Sequence, residues 1–259
     1  MILVFGGTTE GRRVAGILNG LGKRFIYSTK TQTNSLGYAL AAHRFGALNE
    51  RDMKAFCHEH RIRLIVDAAH PFASVLRETI ARTGHELQIP ILHFERDFKQ
   101  AKSSRPESHP LVHFVDGFEK AIRCLCELSP KLVLATTGVQ TITPLKPYWS
   151  KHKMLVRILP QTTSIEKARA QGFPSEQTLS MSPGRSIADE LQLIATYGVD
   201  CLLSKESGAS GFLPEKIEAA LQAEIPIVIL KRPSVPPSFK IVRHKQDFID
   251  FFEQLYQES

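Results

Sequence analysis

Hydrophobic and polar positions follow two alternating rhythms along this chain. Short, continuous apolar runs end at glycine, proline or polar clusters. Between them, apolar residues recur at helical spacing. The first run, residues 2–5, is Ile-Leu-Val-Phe and stops at Gly6-Gly7; Val14, Ala15, Ile17, Leu18 and Leu21 then fall on one helix face. This predicts a strand buried on both faces, a glycine turn and a helix. The rhythm continues with strands at 25–27, 64–66, 89–96, 111–115, 131–135, 154–159, 178–181, 201–203 and 225–230. Arg44-Phe45-Gly46 reads as a short strand or turn. Helices are expected at 51–61, through 121–128, and at 162–170, 187–197, 214–222 and 246–256, with Pro71 and Pro214 in first turns. Strands alternating with helices imply a parallel α/β architecture in both halves. The polar, aperiodic stretch 99–110 reads as the crossing between a 1–105 domain and a 106–259 domain.

Composition narrows the class of protein. The chain has 259 residues, 42% hydrophobic and 23% charged, enough to bury a core without covalent staples. Cys57, Cys124, Cys126 and Cys201 show no metal or redox spacing, so reduced thiols and a cytoplasmic protein are expected. No signal peptide or membrane-spanning run is visible. The formal charge of +7 points to an acidic partner. The basic residues are scattered, without an aromatic-interleaved stripe, which disfavours nucleic acid. A monomer or weak oligomer is expected.

Candidate chemistry clusters where strands end. Gly6-Gly7-Thr8-Thr9-Glu10-Gly11 follows the first strand and opens a helix, where unpaired amides and the helix dipole hold phosphate; Arg12 adds charge. Gly6 and Gly11 fill the first and last positions of a dinucleotide fingerprint, while Thr8 replaces the middle glycine. After the second strand, Ser28 and Lys30 stand where an acid would select NAD, which points to NADPH, with NADH as the alternative. Asp67 and His70 follow the third buried strand; His70 is a candidate anion donor or proton donor, and both residues also suit loop capping. His58 and His60, two apart on a helix, point to different faces, so no metal site is expected. In the second half, Ser207 and Gly208 form a rival anion nest.

These motifs together resemble the precorrin-6A reductase (precorrin-6x reductase) family and its cobalt-precorrin-6A counterpart. The resemblance rests on Gly6–Gly11, on Asp67-Ala68-Ala69-His70-Pro71-Phe72-Ala73, on Phe94-Glu95-Arg96, on Thr136-Thr137-Gly138 and on Arg157-Ile158-Leu159-Pro160. It extends to Ser204-Lys205-Glu206-Ser207-Gly208, residues 215–220 and residues 225–233, in order over nearly the whole chain. Where the family usually carries Gly-Pro-Phe-Ser, this chain has Ser182-Pro183-Gly184-Arg185-Ser186, losing an aromatic and gaining a cation. The resemblance implies two Rossmann-like three-layer αβα domains with mainly parallel sheets facing a central cleft. It implies NAD(P)H-dependent reduction of the C18–C19 double bond of precorrin-6A, or of its cobalt complex, to precorrin-6B in cobalamin biosynthesis. It assigns Gly6, Gly7, Thr8, Thr9, Glu10, Gly11, Arg12, Ser28 and Lys30 to the cofactor. Candidate substrate contacts are Asp67, His70, Thr137, Gly138, Arg157, Arg185, Lys205, Ser207, Gly208, Lys231 and Arg232, and His70 is the candidate proton donor. Rival readings are a non-catalytic NADP-binding sensor and another Rossmann-type reductase of a polyanion. A short-chain dehydrogenase is disfavoured, since no tyrosine has lysine four residues on.

Overall fold

The computed structural model describes residues 1–32, 34–95, 109–207 and 211–257. In chain order the first unit holds β1 (Ile2–Phe5), α1 (Thr9–Gly20), β2 (Phe25–Thr29), β3 (Ala41–Phe45), α2 (Glu50–Glu59), β4 (Leu64–Asp67), α3 (Ser74–Glu86) and β5 (Ile91–Phe94). The second holds β6 (Val112–Val115), α4 (Gly117–Leu128), β7 (Val133–Ala135), α5 (Lys146–Trp149), β8 (Met154–Ile158), α6 (Thr162–Ala170), β9 (Thr178–Ser180), α7 (Ile187–Tyr197), β10 (Cys201–Lys205), α8 (Leu213–Gln222) and β11 (Ile227–Leu230). Last come β12 (Lys240–Val242) and α9 (Lys245–Gln257).

Each unit carries one six-stranded sheet, ordered β12-β5-β4-β1-β2-β3 in the first and β6-β11-β10-β7-β8-β9 in the second. Every described strand pairing is parallel. The central strands are buried along their length, apart from Lys205 at the end of β10, as continuous apolar runs in a sheet covered on both faces must be. In the first sheet the chain steps outward from β1 to β3, then resumes at β4 on the other side of β1. In the second the same reversal lies between β7 and β10. Such switch points open a crevice beyond the strand ends, where open α/β sheets bind ligands.

Domain membership differs from the expected 1–105 and 106–259 division, whose boundary lies outside the described residues. The chain divides into 1–97 with 234–259, and 98–233. β12 pairs with β5 in the first sheet. Helix α9 buries Phe248 and Phe252 among Val14, Leu18 and Phe94, with the Phe94 and Phe248 rings 6.2 Å apart. A fully buried phenylalanine contributes about 1.5–3 kcal/mol, so the carboxyl-terminal helix is bound to the first core by its aromatic face. Of the expected crossing at 99–110, residues 99–108 lie outside the described residues. Of the expected strand or turn at 44–46, Arg44 and Phe45 close a five-residue strand, β3, and Gly46 lies in the bend just beyond it. Pro71 stands in the loop before α3, which starts at Ser74.

Candidate functional site

In the first unit the crevice is built by the β1–α1 and β4–α3 loops. Thr8 caps α1: its Oγ1 accepts from the Gly11 amide at 2.9 Å and donates to the Ala68 carbonyl at 2.6 Å, bridging the switch point. The Ala68 amide donates to the Phe5 carbonyl at 2.9 Å. Tyr27 lies beneath this turn, and its hydroxyl accepts from the Gly7 amide at 2.9 Å. A Cβ on Gly6 would stand 2.2 Å from the Tyr27 ring, and one on Gly11 would stand 2.7 Å from Gly6 Cα and from the Tyr27 hydroxyl. Gly7 has φ +89°, in the region that favours glycine. The two outer glycines are therefore required by close packing, and Gly7 by the turn itself.

This geometry redistributes the expected roles. The Thr8 hydroxyl and the Gly7 amide are committed inside the protein. What α1 presents outward is its first backbone amides, next to exposed Thr9 and Arg12. Glu10 lies in that first turn. A diphosphate fits here, because the turn is glycine-shaped, Gly7 is exposed and a helix dipole points at it. Ser28 is buried, with its carbonyl accepting from the Gly6 amide at 3.0 Å; Lys30 is exposed.

Asp67, expected at the substrate, is drawn inward instead. It is 1% exposed; Oδ2 accepts from Arg77 Nε and pairs with His93 Nδ1, both at 2.8 Å, and Oδ1 accepts from the Ala69 amide at 3.1 Å. Arg77 donates onward to the carbonyls of Pro71 at 2.8 Å and His70 at 3.2 Å. Asp67 thus anchors the loop instead of meeting ligand. A carboxylate so placed has the Arg77 charge and a hydrogen-bond partner in His93, which make up for lost water. Burial pushes the Asp67 carboxyl up, but the His93 and Arg77 interactions overcome it and hold the group below the ordinary carboxylate value. The stability it contributes is then whole above the unfolded-state value near 3.9 and is lost as pH falls through the lower folded-state value. Asp67→Asn is expected to lower the urea midpoint at pH 7, with the gap to wild type closing below about pH 4. A gap that stays constant down to pH 3 would contradict the assignment.

His70 is exposed at the end of this loop; its Nδ1 accepts from the Phe72 amide at 3.2 Å, which leaves the ring proton on Nε2.

In the second unit the crevice lies between the ends of β7 and β10. The Thr136 amide donates to the Leu203 carbonyl at 2.8 Å and Thr136 Oγ1 to Ser204 Oγ at 3.1 Å, joining the two strand ends. Thr137 is buried and bonded to Thr141 Oγ1 at 2.6 Å; Gly138 turns the chain at φ +83°. Lys205 ends β10 partly buried, and loss of water pushes its ammonium down to about 8. Ser207 packs so closely on Gly211 that a Cβ there would stand 2.0 Å from its Oγ. Gly208 lies outside the described residues, as does Arg96.

Of four expected cations, two are held within the protein and two are exposed. Arg157 is buried, and Nη1 donates to both oxygens of Glu190 at 2.9 and 3.1 Å, so it braces β8 on α7 and does not face a substrate carboxylate. Arg232 Nε donates to the Glu206 carbonyl at 2.7 Å, tying the loops after β10 and β11. Lys231 is exposed, 3.6 Å from Asp116. Arg185 is exposed; its amide donates to Asp189 Oδ2 at 2.9 Å beside a capping box in which Ser186 and Asp189 exchange bonds.

Sequence reasoning missed Tyr27, Arg77, His93, Glu190 and Lys216. Lys216 is buried, with Nζ donating to the carbonyls of Gly211 and Phe212. A signal was present. Arg77, Ile80 and Gly84 share one buried face of α3, Glu190, Leu193 and Ile194 one face of α7, and Leu213, Lys216 and Ala220 one face of α8. A charged residue on an inward helix face requires a buried partner.

The chain was also compared with known proteins. The model of the family described as Precorrin-6x reductase CbiJ/CobK matches residues 1–253. Among curated relatives, a cobalt-precorrin-6A reductase of Methanothermobacter thermautotrophicus is 31% identical over 90% of this chain and 77% of that protein. One of Methanocaldococcus jannaschii is 30% identical over 90% of this chain and 91% of the relative. A precorrin-6A reductase of Rhodococcus erythropolis is 28% identical over 93% of this chain and 92% of its own length. A solved structure titled CobK precorrin-6A reductase has a TM-score of 0.73 at 18% identity, over 98% of this chain and 96% of that one, a likeness of fold.

Proposed function

The chain belongs to the precorrin-6x reductase family, and from that premise we propose that it reduces the C18–C19 double bond of precorrin-6A, or of its cobalt complex, to precorrin-6B. The enzyme is an oxidoreductase of cobalamin biosynthesis. The observation that carries the nucleotide part is the glycine turn at the β1/β4 switch point, shaped by Tyr27 and opening onto the first amides of α1. When bound, a nicotinamide cofactor supplies the hydride. The absence of an acid after β2 favours NADPH over NADH. Four free cysteines, two of them buried, suit a reducing cytoplasm.

The protein's own work is positioning and one proton. The α1 amides and Arg12 hold a diphosphate by charge and hydrogen bonds. The substrate is a tetrapyrrole bearing many carboxylates, and a chain of net charge +7 attracts it. Lys205, at the β7/β10 switch point, takes one of those carboxylates, with the Thr136–Gly138 turn and Ser207 beside it. Because the unliganded Lys205 ammonium titrates near 8, its charge is present below that pH and lost above it. KM for the macrocycle is expected to rise as pH passes from 7 to 9 and to lose that dependence in Lys205→Met. A parallel pH profile in the variant would remove Lys205 from the substrate. His70 supplies the proton that accompanies the hydride, as imidazolium, to the carbon that does not take the hydride.

The deciding experiment is anaerobic absorbance spectroscopy of the purified protein with precorrin-6A and, separately, cobalt-precorrin-6A, each with NADPH or NADH. Loss of the nicotinamide band together with a shift of the macrocycle spectrum is expected. The faster pair identifies cofactor and substrate form. Nucleotide binding with neither macrocycle reduced would replace this reading with a non-catalytic NADP-binding module.

A further inference from the structure

We propose that Arg44 reads the 2′-phosphate of NADPH and so sets the preference for NADPH over NADH; this rests on the cofactor reading above. Phe5, Ser28 and Arg44 stand side by side on β1, β2 and β3. Strands lie about 4.8 Å apart, so the Arg44 backbone is about 10 Å across the sheet from the start of the glycine turn. That is the side on which the adenosine ribose lies when a diphosphate rests on the helix after the first strand.

The guanidinium is held in one plane and offers one edge. Nη1 donates to Ser28 Oγ at 3.1 Å and to the Gly46 carbonyl at 2.6 Å, while Nη2 reaches the Ala47 carbonyl only at 3.5 Å. The guanidinium carbon lies 5.5 Å from the centre of the Phe56 ring, which supports its face. Among the described residues no acceptor meets Nε–H. Nε and Nη2 form the two-point edge that matches two oxygens of a phosphate. Nη1 therefore serves orientation, and the opposite edge is left for a ligand.

The surrounding charges agree. Residues 28–32 are Ser-Thr-Lys-Thr-Gln, with no acid to accept from a ribose hydroxyl. Burial lowers the Arg44 pKa and Asp52 opposes that shift. Asp52 itself is exposed, and its carboxylate accepts from Asn49 Nδ2 at 2.8 Å. A partly exposed cation without a bonded carboxylate gains from an incoming anion. Lys30, the cation that sequence reasoning placed here, is exposed.

The test uses calorimetric titration of the full chain with 2′,5′-ADP and 5′-AMP, and steady-state kinetics with NADPH and NADH. Wild type is expected to bind 2′,5′-ADP more tightly. Arg44→Met is expected to lose about 10- to 100-fold in 2′,5′-ADP affinity, with 5′-AMP binding and the NADH parameters unchanged. Arg44→Lys keeps a cation but not the two-point edge, and should fall between. It also decides the matter if the methionine variant does not fold. Equal weakening of both ligands, or of neither, would overturn the proposal and leave Arg44 a brace for Ser28 and Gly46. Binding of neither ligand to wild type, with no turnover, would instead overturn the cofactor reading itself.

Discussion

Replacing Glu190 by alanine is expected to destabilise the second unit by about 3–5 kcal/mol, the usual cost of leaving a buried charge without its partner. Glu190 is wholly buried on α7, and both of its oxygens hold Arg157 Nη1. Lys216 is buried nearby. Loss of water pushes its ammonium down to about 8, against the pull of the Glu190 charge. Removing the carboxylate leaves Arg157 without its anion and Lys216 with only the weaker pull of Glu215. The Gly184 turn also packs on Glu190, since a Cβ there would stand 2.9 Å from Oε1. The urea midpoint of the second unit, followed by the fluorescence of Trp149, reports the loss. Arg157→Met combined with Glu190→Leu should recover much of it, because a well-packed apolar pair often replaces a buried ion pair at little cost. Equal loss in the double and single variants would show that shape rather than charge governs this position.

His70→Ala is expected to lower turnover about 100-fold or more with little change in stability. The side chain is exposed, so its removal disturbs little packing. Its backbone is held independently: the His70 carbonyl accepts from Arg77 Nη2 at 3.2 Å and from the Ala73 amide at 2.8 Å. The Arg77 guanidinium is in turn fixed by Asp67. The alanine variant therefore removes a proton donor while keeping its loop. Arg77→Met should behave differently, lowering both the melting temperature and turnover, because it releases the loop and strips Asp67 of a partner. An unchanged rate in His70→Ala would end the proton-donor role and leave water as the donor.

The local architecture was legible because its causes are local. The run Ile2–Phe5, the turn Gly6–Gly11 and the spacing Val14-Ala15-Ile17-Leu18 state a strand, a phosphate-type turn and a helix without reference to anything distant. Candidate site residues fall at the carboxyl ends of β1, β2, β4, β7, β8, β10 and β11, and of these β1, β4, β7 and β10 border the two switch points. The roles of individual charged residues were not legible. Arg157 and Arg232 look like substrate cations in one dimension, and only the fold brings Glu190 and the Glu206 carbonyl to them. Asp67 reads as a substrate contact in the sequence, with loop capping as the alternative, and only the fold puts Arg77 and His93 beside it.

By itself, then, the sequence determined the order and kind of most of the elements and the parallel α/β class, because periodicity and turn chemistry act over a few residues. Tertiary structure alone decided that β12 and α9 complete the first unit, since an amphipathic helix specifies that it covers a core and not which one. It also decided which charges turn inward. Burying a charge is settled by the partner waiting there, and for Arg157 and Asp67 that partner comes from another element of the chain.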